Sequence, residues 1–126
     1  MSAWEHIRQK IERPETLEPV SEIDVSRMKE LYPNLPEQYL TFLRTVGHGN
    51  LGRIQIYAGP MNPVDIYSES RRNQLNGIII IGDDMQGFCY GFDLKDSYRV
   101  VEIDPRGNID RTIKPDFESL VQLHVD

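Results

Sequence analysis

Four consecutive isoleucines, Ile78–Ile81, constrain the fold of this chain more than any other feature. The run follows a turn signal, Asn76-Gly77, and is apolar on both of the faces that a strand presents. A strand of that composition must be covered on both sides, so the run predicts the central strand of a sheet. The segments around it must then supply the neighbouring strands and the layers that bury the two faces.

Segments on either side of the isoleucine run have the character of strands. Arg53–Tyr57 alternates, and it directs Ile54 and Ile56 to one side. Gly59–Pro63 holds glycine, asparagine and two prolines, which predicts a loop, and Val64–Tyr67 suggests a short edge strand. After the run we expect three further strands, at Gly87–Leu94, Tyr98–Asp104 and Asn108–Ile113.

Helical patterns occupy the first third of the chain and its end. Apolar residues at helical spacing predict a helix ending near Arg13, a second at Glu22–Tyr32 and a third beginning at Pro36. In the second helix we expect an apolar stripe of Ile23, Met28, Leu31 and Tyr32. The third helix closes on a left-handed Gly47, and its inward residues are Tyr39, Leu40, Leu43 and Val46. Asp116 caps a terminal helix with Phe117, Leu120, Val121 and His124 facing inward.

Helices first, strands next and a helix last is the order typical of an α+β protein. We predict one domain over residues 1–126, with a mostly antiparallel sheet of about five to six strands. The N-terminal helices and the C-terminal helix pack on that sheet. A chain of 126 residues can bury its own core. Its one cysteine, Cys89, lies in an apolar run and is expected to be a buried, inert thiol.

The charge balance excludes some partners: 14 lysines and arginines stand against 20 aspartates and glutamates. Direct nucleic-acid binding is disfavoured, because neutralising phosphates requires a basic surface. Met1–Arg13 is charged, which argues against a secretory signal, and the isoleucine run is too short to span a bilayer. We therefore expect a cytoplasmic protein without membrane contact.

Carboxylates are concentrated between Gly82 and Asp104, where the only basic residues are Lys95 and Arg99. Complementary charge speeds the encounter with a basic protein and sets its orientation. The candidate partner-binding residues are therefore the aspartates of this segment: Asp83, Asp84, Asp93, Asp96 and Asp104. Turns between adjacent strands would gather several of them at one end of the sheet. The alternative interpretation is a solvated sheet edge with no partner.

Signals for catalysis or cofactor binding are weak. His48 lies in a glycine-rich junction where, with Asp83 and Asp84, it could serve a small hydrolase or a ligand-binding protein. An ordinary loop histidine is the simpler interpretation. Asp83, Asp84 and Asp104 would suit Mg²⁺ or Ca²⁺, but no calcium-loop motif supports such a site. Phosphate loops, dinucleotide fingerprints and nucleophile elbows are absent. We expect no enzyme activity, no cofactor and no resident metal.

A set of motifs resembles a known family in both order and spacing. In chain order the motifs are Leu35-Pro36-Glu37-Gln38-Tyr39 with Phe42-Leu43, then Ile80-Ile81-Gly82-Asp83, Gly87 and Asp93-Leu94, and finally Phe117-Glu118-Ser119-Leu120. The first motif is similar to the signature helix of the SUKH superfamily, which includes fungal cell-wall-assembly regulators and bacterial immunity proteins. The later motifs are similar to the family's central hairpin and its closing helix, and the resemblance covers about residues 23–125.

The resemblance implies a mixed sheet with helices. In bacteria it also implies a role in binding and neutralising a cognate toxin, often a nuclease or another polymorphic effector. We accordingly predict an immunity protein, or antitoxin, that binds a basic toxin domain and exists as a monomer or weak homodimer. Two alternatives stay open. One is a regulatory or scaffold protein of the same fold with another protein partner, and the other is the small hydrolase or ligand-binding protein based on His48.

Overall fold

The computed structural model describes residues 3–11, 16–67, 74–110 and 116–125. Within these ranges the chain has an α+β fold, in which an antiparallel sheet of six strands carries four α-helices. The strands follow one another across the sheet in chain order, so each strand pairs with its neighbour in sequence. The predicted fold class is confirmed. None of the described helices is long and apolar enough to cross a membrane.

The helices are α1 (Ala3–Lys10), α2 (Glu22–Leu31), α3 (Glu37–Thr45) and α4 (Phe117–Val125). The strands are β1 (Gly49–Asn50), β2 (Gln55–Met61), β3 (Ile78–Asp83), β4 (Cys89–Asp93), β5 (Arg99–Ile103) and β6 (Ile109–Asp110). A 3₁₀ helix (Pro63–Asp65) follows β2.

The isoleucine run forms the first four residues of β3, between β2 and β4, and all four side chains are buried. Ile79 and Ile81 pack in the large core that includes the helices. Ile78 and Ile80 pack in a smaller core on the opposite face of the sheet. The predicted central strand with cover on both faces is therefore confirmed.

Aromatic rings fill the large core between the sheet and the helices. Phe117, the first residue of α4, lies 5.2 to 6.4 Å, between ring centroids, from Trp4, Tyr39, Phe42 and Phe92. The Trp4 indole N–H donates to the carbonyl oxygen of Gln38 at 3.0 Å. The Gln38 side-chain oxygen accepts from the Glu118 backbone N–H at 3.1 Å. These bonds join α1 and α4 to α3.

The smaller core lies under the chain that connects β2 to β3. Its buried members are Leu75, Ile78, Ile80, Cys89, Val101 and Ile103. The Tyr67 hydroxyl donates to the backbone carbonyl oxygens of Ile103 (3.3 Å) and Asp104 (3.0 Å), which ties the connection to β5. Cys89 is buried as predicted, and burial raises the pKa of its thiol, which keeps the thiol protonated.

Two predictions around β2 are wrong. We predict a loop at Gly59–Pro63, whereas β2 continues through Met61. β2 and β3 lose their regular register between Ile56 and Met61, so Pro60, which has no N–H, lies where the ladder is already interrupted.

The predicted edge strand at Val64–Tyr67 is also wrong, because the 3₁₀ helix begins at Pro63. The Asn62 side chain accepts from the Val64 N–H at 3.1 Å, and proline suits the first helical position.

The predicted stripe of α2 is only partly correct. Met28 is buried, but Ile23 is 68% exposed and Leu31 is 72% exposed, while Val25, outside the predicted stripe, is buried. Val25 and Met28 pack in the large core, and the helix contacts α3. In a short helix with apolar residues on several sides, the sequence does not predict which side is buried against the rest of the protein.

The other predicted elements agree with the structure where it describes them. α3 buries its predicted inward residues, and Gly47 follows it with a φ of 108°. The predicted strands after β3 correspond to β4, β5 and β6. Residues 111–113 of the last predicted strand and residues 12–13 of the first predicted helix lie outside the described ranges.

Candidate functional site

Two turns bring three of the candidate aspartates to one end of the sheet. β3, β4 and β5 are consecutive antiparallel strands, and Asp83 pairs with Cys89, which in turn pairs with Ile103. The β3–β4 turn therefore lies beside the β5–β6 turn. We call this end, with Asp83, Asp84 and Asp104, the acidic end of the sheet.

The other two candidate aspartates lie at the opposite end. Asp93 is the last residue of β4 and pairs with Arg99, and Asp96 lies in the turn between β4 and β5. Asp93 is only 5% exposed, and its carboxylate accepts from the Lys95 backbone N–H at 3.0 Å. The structure therefore does not bring Asp93 or Asp96 to the acidic end.

The two ends differ in their charge balance. At the opposite end, Asp93 and Asp96 are accompanied by Lys95 and Arg99. At the acidic end, carboxylates outnumber guanidinium groups among the described residues: Asp83, Asp84, Glu102, Asp104 and Asp110 against Arg53 and Arg106. The fold thus separates a balanced end from an end with excess negative charge.

Backbone N–H groups of the β3–β4 turn hold its two carboxylates in place. Asp84 Oδ1 accepts from the N–H groups of Gln86 (2.8 Å) and Phe88 (3.0 Å). Asp83 Oδ1 accepts from the Met85 N–H at 2.8 Å, and its Oδ2 accepts from the Tyr57 hydroxyl at 2.6 Å. Such bonds fix the direction of each carboxylate before any partner arrives.

Asp104 is fixed in the same manner by the β5–β6 turn. Its Oδ1 accepts from the backbone N–H groups of Asn108 (2.9 Å) and Arg106 (2.8 Å), and its Oδ2 accepts from the Asn108 side-chain amide at 3.0 Å. These bonds, with the Asn108 backbone N–H first, lower the pKa of Asp104. The carboxylate is therefore ionised at neutral pH.

An apolar side chain lies at the tip of the acidic end. Met85 is 46% exposed and has a φ of 63°, a left-handed conformation that is uncommon for residues other than glycine. The Asp83 carboxylate binds its N–H, and the side-chain amide of Asn50 lies 3.2 Å from its sulfur. The turn therefore presents an exposed methionine directly after two aspartates.

A cavity of about 420 Å³ opens beside this turn, and its lining includes Arg53, Asp84, Met85, Gln86, Tyr90 and His124. His124 lies in the last turn of α4. Its Nδ1 lies 2.9 Å from the carbonyl oxygen of Leu120, and its Nε2 lies 3.1 Å from the Tyr90 hydroxyl. A carbonyl oxygen only accepts, so Nδ1 carries the proton, and in the neutral ring Nε2 accepts from the Tyr90 hydroxyl.

Tyr90 is one of the residues that line this cavity. Its hydroxyl has a raised pKa, first because of burial and then because the carboxylates of Glu102 and Asp84 lie near it. The ring also contacts the imidazole of His124 edge-on, at 5.1 Å between centroids. The phenol is therefore neutral at physiological pH. The carboxylates of Glu102 and Asp84 contribute a negative electrostatic potential at its oxygen.

His48 lies at the junction between α3 and β1. Its backbone pairs with Glu18 through bonds of 3.0 and 3.1 Å, and its Nε2 lies 3.9 Å from the Glu18 carboxylate. Over the described ranges, no group of three or more histidine, cysteine or acidic side chains is arranged to hold a metal ion. Asp83, Asp84 and Asp104 thus share an end of the sheet without forming a metal-ligand set.

Sequence reasoning missed the cavity. It directed His124 inward, and it gave no role in a cavity to Tyr90, Arg53 or Met85. No local motif joins these residues, which come from β4, α4, the β1–β2 connection and the β3–β4 turn. The inward side of α4, which included His124, was the only signal that pointed toward the contact with Tyr90.

Comparisons of the chain with models of protein families, with curated proteins and with solved structures give no match. The resemblance to the SUKH superfamily therefore stays a prediction that rests on the sequence motifs.

Proposed function

We propose that this protein is a non-enzymatic binding module of the immunity-protein type, which neutralises a basic toxin domain by binding it at the acidic end of the sheet. The observation that carries the proposal is the acidic end itself. Three aspartates from two adjacent turns lie at this end of the sheet, together with the exposed side chain of Met85. The resemblance of the sequence motifs to bacterial immunity proteins supports the same role.

The geometry of the acidic end suits recognition of a basic surface. Its carboxylates are already oriented by backbone N–H groups, so little conformational entropy is lost when a partner binds. Their field attracts a basic partner and orients it during the encounter. Met85 supplies an apolar contact of the kind that is enriched in the centre of protein interfaces.

The bonding of these groups favours recognition over acid–base catalysis. A general acid or base works best with a pKa near the working pH. The pKa of Asp104 is lowered, and that of Tyr90 is raised well above neutrality, so neither group exchanges protons readily near pH 7. Both are better suited to presenting a fixed charge or a fixed hydroxyl to a partner.

Growth of cells that produce a toxin domain encoded by a neighbouring gene tests the proposal. Co-production of this protein should restore growth, and the two purified proteins should form a stable complex. The variant His48→Ala should protect the cells within about threefold of wild type, because a stoichiometric inhibitor needs no proton transfer. Absence of both protection and complex formation with every neighbouring toxin domain would overturn the proposal. So would turnover of a small substrate that disappears in His48→Ala.

A further inference from the structure

The cavity beside the β3–β4 turn presents hydrogen-bond acceptors to solvent. Asp84 uses Oδ1 for the turn, and among the described residues its Oδ2 has no hydrogen-bond partner. The Tyr90 hydroxyl lies 3.1 Å from His124 Nε2, and its oxygen carries lone pairs that can accept a bond from a ligand. The Gln86 side-chain amide adds another acceptor at the rim.

The electrostatic field in the cavity favours a cation. The carboxylates of Glu102 and Asp84 both act on the Tyr90 hydroxyl, and Glu102 is the cross-strand neighbour of Tyr90. Arg53 is the cationic residue of the lining, and its guanidinium is bonded to the carbonyl oxygens of Leu123 (2.8 Å) and His124 (3.3 Å). Its charge is thus directed at the carboxyl end of α4, where it offsets the helix dipole.

We propose that this cavity binds the guanidinium group of an arginine side chain on the protein partner. The inference rests on the proposed function for the identity of the partner, and it deepens that function by naming the group that is recognised. The guanidinium donates to Asp84 Oδ2 and to the Tyr90 oxygen, and its apolar stem lies along Met85.

Arginine fits this lining better than lysine. A guanidinium is planar and presents several N–H donors in fixed directions, so it can bond Asp84 and Tyr90 together. It also stacks on aromatic rings, and here the rings of Tyr90 and His124 meet edge-on in the lining. An ammonium group is a compact, strongly hydrated charge, and it loses more hydration in a partly enclosed site.

A capped arginine, N-acetyl-arginine methylamide, tests the cavity without the partner. Titration into the isotope-labelled full chain at constant ionic strength should shift the backbone amides of Gln86 and Phe88, which bond Asp84. We expect saturation with a Kd of about 1–10 mM, as befits a small ligand that makes few contacts. The capped forms of citrulline, an uncharged isostere, and of lysine should each bind at least about fivefold more weakly.

Two substitutions that each remove one negative charge form a matched pair, in which Asp84→Asn is the test and Asp96→Asn is the control. Asp84→Asn keeps an oxygen for the turn and should weaken binding of the capped arginine at least about fivefold. Asp96→Asn, at the opposite end of the sheet, should leave the Kd within about twofold of wild type. The wild-type amide spectrum outside the turn verifies that each variant is folded. Tyr90→Phe, which removes only the hydroxyl, should weaken binding about two- to fivefold.

Three results would overturn the arginine site: no saturable shift, equal binding of capped citrulline or lysine, or equal effects of Asp84→Asn and Asp96→Asn. This outcome is separable from failure of the proposed function. If capped arginine binds but no toxin domain is neutralised, the cavity stands and the proposed function fails. If a toxin domain is neutralised but capped arginine does not bind, the partner docks without using the cavity.

Discussion

At the residue scale, the aspartates of this chain act first on the backbone. Four of them accept a bond from an N–H group two to four residues ahead: Asp83, Asp84, Asp93 and Asp104. An aspartate in such a turn stabilises it and also places a charge at a defined point. The sequence predicts the turns from these residues, but it does not distinguish a half-buried residue such as Asp104 from a buried one such as Asp93.

Asp116 makes the corresponding contact at the start of α4, and its contribution should depend on pH. Its carboxylate accepts from the Ser119 N–H at 2.9 Å, and this bond is the main reason that the pKa of Asp116 is lowered. A pKa lowered by folding gives stability that is present above the unfolded pKa of about 3.9 and is lost as pH falls through the folded value. Asp116→Ala should therefore lower the free energy of unfolding by about 1 kcal/mol at pH 7.

Urea unfolding across the acid range checks this prediction. The difference between wild type and Asp116→Ala should shrink as the pH falls from about 5 to about 2. Asp116→Asn keeps a capping oxygen without the charge, so at pH 7 it should lose less stability than Asp116→Ala. A difference between wild type and Asp116→Ala that stays constant with pH would show that the charged cap makes no contribution.

At the scale of elements, features that depend on a few consecutive residues were predicted correctly, whereas features that depend on contacts between distant elements were not. Three correct predictions rest on such local features: the isoleucine run, Gly47 after α3 and Asp116 before α4. Each of them acts through its own backbone or the next few residues. The side of α2 that is buried depends on where α3 lies, and the length of β2 depends on its register with β3. Those relations join distant parts of the chain, so a local pattern does not contain them.

Gly47 also fixes how α3 leads into the sheet, and a matched pair of glycine substitutions tests this. Gly47 and Gly52 both have a positive φ, at 108° and 113°. A Cβ on Gly47 would collide with the backbone of Glu18, whereas a Cβ on Gly52 would meet no heavy atom within 4 Å. Gly52→Ala should cost about 1 kcal/mol of stability from backbone strain alone. Gly47→Ala should cost at least about 2 kcal/mol more, because the bridge between Glu18 and His48 must move.

Chemical denaturation of both glycine variants measures the difference. Equal losses of stability would mean that the chain around Glu18 adapts to a Cβ at Gly47, and that the contact does not fix the path out of α3.

At the scale of the whole molecule, the fold converts an evenly mixed acidic segment into two ends of different character. The sequence between Gly82 and Asp104 shows only that carboxylates outnumber basic residues. Antiparallel pairing of β3, β4 and β5 then sends Asp93 and Asp96 to one end and leaves Asp83, Asp84 and Asp104 at the other. The sequence predicted the hairpins but not this division, since it depends on where each strand begins and ends.

The association rate constant with the cognate toxin domain, measured by stopped flow, tests most directly whether the acidic end is the binding surface. The double variant Asp84→Asn, Asp104→Asn should associate about 5- to 10-fold more slowly at low salt, with a dissociation rate within about threefold of wild type. Raising the ionic strength from about 0.05 M to about 1 M should remove most of that difference, because exposed charges are then screened within about 3 Å. The control variant Asp96→Asn, Glu30→Gln removes the same charge elsewhere and should associate nearly as fast as wild type. An association rate that is insensitive both to the acidic-end substitutions and to salt would contradict the account and place the interface on another surface.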